Sequence, residues 1–73
     1  MLKIAFMYKG VFNQKEGVAY NDYLVIVPGE RCIELLRTPF IDSNAVKVSK
    51  SDLLSMKKKF EQAGWKVINN CKM

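Results

Sequence analysis

A chain of 73 residues, 49% of them hydrophobic, is the size of one domain and too apolar for intrinsic disorder. No run approaches the roughly 20 apolar residues that span a bilayer. The lysine-interrupted start lacks the cleavage site of a signal peptide, so a cytoplasmic protein away from membranes is expected.

The formal charge of +5 is unevenly placed. Residues 1–46 set Lys3, Lys9, Lys15, Arg31 and Arg37 against Glu16, Asp22, Glu30, Glu34 and Asp42. Residues 47–73 carry seven lysines against only Asp52 and Glu61. Such asymmetry bears on partners and not on fold.

Leu2, Ile4, Phe6 and Tyr8 alternate with Lys3, Ala5, Met7 and Lys9, the period of a strand with one face inward. That strand can run to Phe12. The polar segment 13–17 ends in Gly17 and suits a hairpin loop whose last residue takes a positive φ. Val18 to Val27 predicts a second strand. Its dense core Tyr23-Leu24-Val25-Ile26-Val27 implies cover on both faces and a central place in the sheet. Pro28-Gly29 fits the two central positions of a type II turn. Residues 31–37 suit a short helix by composition, but their length and the tight turn before them favour a third strand. In that strand Ile33 and Leu35 share a face. Thr38-Pro39 ends it. Residues 40–44 read as a loop and Ala45–Val48 as a short strand or lead-in.

The helix, expected from about Ser49 to Gly64, is specified at both ends. Ser49 suits an N-cap with Asp52 three residues on, and Val48 and Leu53 have the spacing of a hydrophobic staple. Gly64 can close the helix in the left-handed conformation, with Trp65 then set to pack on Phe60. Leu53, Met56, Phe60 and Ala63 form the apolar stripe, which Leu54 widens. Trp65 to Asn69 alternates again as a last strand. The expected class is α+β. A mostly antiparallel sheet of three to five strands carries one amphipathic helix on one face, in the order β-β-β-(β)-α-β. The sheet's second face then needs water, a partner or some other cover.

Chemistry is thinly represented. The chain has no histidine, no phosphate-binding glycine motif and no nucleophile elbow, and its carboxylates are dispersed. Cys32 and Cys71 lie in apolar surroundings without a Cys-x-x-Cys pair, which suits buried thiols better than a metal site. No enzyme activity, metal or cofactor is therefore expected.

Two binding features remain. Lys57-Lys58-Lys59, with Lys50 and Lys66, offer a basic patch on the solvent side of the helix, without the arginine fork that reads bases. Tyr8, Tyr20 and Tyr23 are candidate aromatic contacts if they share an open sheet face. The reading that follows is a small interaction or regulatory protein that binds a protein partner. Motif-free chains of this size are common among accessory proteins of phages and mobile elements. A nucleic-acid-binding module is the alternative. An open sheet edge, unless Lys9 and Lys66 guard it, and helix packing across a twofold axis are two routes to a homodimer.

Overall fold

A computed structural model describes residues 3–69, with backbone alone described at residues 11–13. Its strands are β1 (Ile4–Asn13), β2 (Val18–Val27), β3 (Cys32–Thr38), β4 (Val46–Lys47) and β5 (Lys66–Asn69). They form one mixed sheet in the order β4-β1-β2-β3-β5, and α1 (Lys50–Gln62) joins β4 to β5. The expected α+β architecture with one helix on a sheet is present, and β2 is the central strand. Cys71 and Leu2 lie outside the described residues.

β1, β2 and β3 meander antiparallel, whereas β4 runs parallel to β1 and β5 parallel to β3. The mixed character follows from two return crossings. After β3 the chain comes back through residues 39–45 to the far edge before β4 begins. After β4 it comes back through α1 before β5 begins. A strand that starts again from the same end must run parallel to its neighbour. The long hairpin holds Gly17 at φ 68, as its loop requires, and a register shift sits at Gly10, φ 114.

The two crossings take opposite faces. On the helix face Leu24, Ile26, Ile33 and Leu53 form a buried cluster, with Phe6, Tyr8, Met56, Phe60, Trp65 and Val67 packed around it. On the second face Met7, Tyr23 and Ala45 are buried together, bordered by Ala5, Val25 and Leu36. Strand alternation produces this division directly.

The helix ends form as the sequence requires. The Ser49 hydroxyl accepts from Asp52 N–H at 3.2 Å. Trp65 N–H donates to the Phe60 carbonyl and Gly64 N–H to that of Glu61, with Gly64 at φ 85, which is a Schellman closure. The Phe60 and Trp65 rings meet edge to face at 4.9 Å. The stripe is narrower than expected, for Leu54 is 53% exposed and Ala63 is exposed, leaving Leu53 as the buried residue of α1. Residues 28–30 also differ, forming a single 3-10 turn in place of a type II turn. The left-handed residue is Arg31 (φ 50), not Gly29. Arg31 is held there from two sides: its N–H donates to Pro28 and its carbonyl accepts from Lys66 N–H. Its guanidinium lies 5.9 Å from the Trp65 ring centre. Among the described residues, no helix is long and apolar enough to cross a membrane.

Candidate functional site

Loop 39–45 shapes the second face. Tyr23 points from the middle of β2 into it and is buried, so its hydroxyl needs partners. It donates to the Phe40 carbonyl at 2.8 Å and accepts from Asp42 N–H at 2.9 Å. Asn21, two residues earlier on the same face and also buried, donates its amide to the same Phe40 carbonyl at 3.2 Å. The Asp42 carboxylate accepts from Asn44 N–H, and Ala45 N–H donates to the Asp42 carbonyl. The loop backbone is thus fastened to the sheet at its centre.

Its side chains point away from that fastening. Phe40 is 78% exposed and Ile41 61%. Between them and the strands lies a groove of about 210 Å³ lined by Ala5, Tyr23, Val25, Leu36, Thr38, Phe40, Ile41 and Asp42. Neighbouring apolar side chains left in water by a fixed backbone are what a binding surface presents. The loop covers the part of this face over Met7 and Tyr23 and leaves the part over Ala5 and Val25 open.

A smaller groove, about 150 Å³, lies between the flank of α1 and the strands, lined by Asp22, Leu35, Arg37, Leu53, Leu54 and Lys57 among others. Across β2 and β3, Arg37 makes a two-point ion pair with Asp22, at 2.6 Å through Nε and 3.0 Å through Nη2. Its guanidinium is therefore already occupied by a carboxylate.

The sequence-derived candidates are dispersed. Lys50, Lys58 and Lys59 are exposed on α1, while Lys57 is half-buried at the smaller groove and pairs with Glu61 at 3.4 Å. Lys66 lies on β5 beside Cys32, on the second face of the sheet and apart from the helix lysines. The three tyrosines do not share a face. Tyr8 packs against the helix-side cluster and Tyr23 is buried on the opposite side. Tyr20, on the Tyr8 side by alternation, donates its hydroxyl to Glu16, and that bond to a carboxylate pushes its phenol up. Cys32 is a buried free thiol whose pKa is raised by burial first and by the Glu30 carboxylate second. Among the described residues, no three His, Cys, Asp or Glu side chains are grouped to hold a metal.

Phe40, Ile41 and the Asp22–Arg37 pair escaped the sequence reading. A usable signal for the first two existed: two adjacent large apolar residues stand in a loop that offers no periodic element to bury them. No family model, curated protein or solved structure matches this chain.

Proposed function

We propose that this chain is a non-enzymatic interaction protein that acts by holding a protein partner against the second face of its sheet. The observation that carries the reading is the pairing of exposure with fixation: Phe40 and Ile41 stand in water on a loop tied down by Tyr23 and Asn21. Side chains presented on an ordered backbone lose little further entropy on binding, which favours their use as anchors. The groove beside them carries a single carboxylate, Asp42, and no pair of groups set for proton transfer.

The test is affinity purification of the tagged full chain from its native cell, beside the double variant Phe40→Asp, Ile41→Asp. A protein recovered in stoichiometric amount by the wild type and lost by the variant is the expected result. Recovery of no stoichiometric protein across several salt concentrations removes the reading.

A nucleic-acid reading has one observation in its favour, the exposed Lys50, Lys58 and Lys59 on α1. Binding there would be independent of sequence and steeply salt-dependent. Filter retention of single- and double-stranded nucleic acid at low salt tests it, and no retention excludes it.

A further inference from the structure

We infer that the protein seated on the second face is a second copy of this chain, the two sheets meeting face to face about a twofold axis. This rests on the protein-partner reading and names the partner.

Shape supplies the first argument. Phe40 and Ile41 stand as an exposed wall along the groove, and Ala5, Val25 and Leu36 form its half-buried floor. A twofold axis lying in the plane of this face, between wall and floor, carries each wall onto the floor of the other copy. Every contact is then made twice, residue i on j and j on i, as in isologous interfaces. A ridge beside a hollow on one face is its own complement.

Charge agrees with shape. Register places Lys9 beside Asn21, Lys47 beside Met7, Lys66 beside Cys32 and Glu34 beside Val25, all on the second face. Glu30 joins them at the Cys32 thiol and Asp42 at the Tyr23 hydroxyl. Their formal charges sum to zero, so two such faces approach without net repulsion although each chain carries +5. Along α1, by contrast, Lys50, Lys57, Lys58 and Lys59 are offset only by Asp52 and Glu61, and two copies meeting there repel. Size allows the contact as well. The molecule measures 36 × 23 × 20 Å, and a five-stranded sheet with ten-residue strands fills the two longer dimensions. Its face is therefore on the order of 800 Å² in projection, the area each partner gives to a standard interface. A chain this short buries a smaller share of its surface than larger domains do, and association is a common source of added stability at this size.

Sedimentation equilibrium of the full chain over a range of concentrations reads the assembly directly. A reversible monomer–dimer equilibrium is expected, and the melting temperature should rise with protein concentration, because association stabilises by mass action. Diluting the isotope-labelled wild type should shift the amides of Ala5, Val25, Leu36, Phe40 and Ile41, which locates the contact without any substitution. Phe40→Asp with Ile41→Asp should weaken the dimer about tenfold or more and remove the concentration dependence of melting. Leu54→Asp, at an exposed apolar residue of α1, should leave the dimer as it is. A monomer at millimolar concentration, shifts confined to α1 or to the outer strands β4 and β5, a dimer that survives the Phe40/Ile41 variant, or an open-ended polymer each overturns the inference. A monomer that recovers a different protein from its native cell, and loses it in that variant, removes the second copy and leaves the protein-partner reading standing. Neither a dimer nor a recovered protein removes both.

Discussion

A single hydroxyl decides whether loop 39–45 is a fixed surface or a loose strap. Tyr23 both gives and receives a hydrogen bond there, so it satisfies the Phe40 carbonyl and the Asp42 N–H within one buried contact. Tyr23→Phe keeps the ring in the cluster with Met7 and Ala45 but leaves Asp42 N–H without this acceptor. Phe40 keeps the Asn21 donor, so the loop loosens at its second half first. A cost of about 1–2 kcal/mol is expected, with melting lowered by roughly 4–15 °C for a chain of this size. Hydrogen exchange should quicken at Asp42 by more than at the β1–β2 ladder. An unchanged melting temperature would mean that the loop merely rests on the sheet. Arg31 shows a different residue-scale device: a non-glycine backbone in the left-handed region, held by its own N–H and carbonyl and by the Trp65 ring.

At the scale of elements, local rules were legible wherever a single segment settles its own shape. The alternation of β1, the apolar run of β2, the Ser49 cap and the Gly64 closure are each written within a few residues, and each forms. What sequence could not supply was the direction of the two returns, because parallel pairing of β4 and β5 is decided by where 39–45 and α1 cross the sheet. The same limit hid the site. Phe40 and Ile41 become a surface only because β2, nineteen residues away in the case of Asn21 and Phe40, holds their backbone. The tyrosines were individually visible, but which face each takes depends on register. Packing of α1 likewise centres on Leu53, at 7% exposure, with Met56 and Phe60 half-buried around it, and leaves Leu54 at 53%. Leu53→Ala should cost about 2–4 kcal/mol by emptying the helix-side cluster. Leu54→Ala should stay within about 0.5 kcal/mol. Folding stability for this length is about 4–11 kcal/mol in all, so urea denaturation should separate the two clearly. Equal effects would mean that α1 docks through a different flank.

Across the whole molecule the exposed lysines fall into two sets with different neighbours. On the second sheet face Lys9, Lys47 and Lys66 stand among Glu30, Glu34 and Asp42, whereas Lys50, Lys58 and Lys59 stand on the exposed outer side of α1. A compact chain with a formal net charge of +5 repels itself, and added salt relieves that repulsion within a screening length of about 8 Å at 0.15 M. Lys58→Glu with Lys59→Glu removes two charge units at each site, four in all, and takes the formal charge from +5 to +1. Both side chains point to water, so the fold should persist and stability in high salt should match the wild type within about 0.5 kcal/mol. At low salt the variant should be the more stable of the two, and the rise in melting temperature with sodium chloride should be smaller for it. Thermal scans at a series of salt concentrations measure both quantities. A large loss of stability at every salt concentration would place these lysines against the protein and not in solvent.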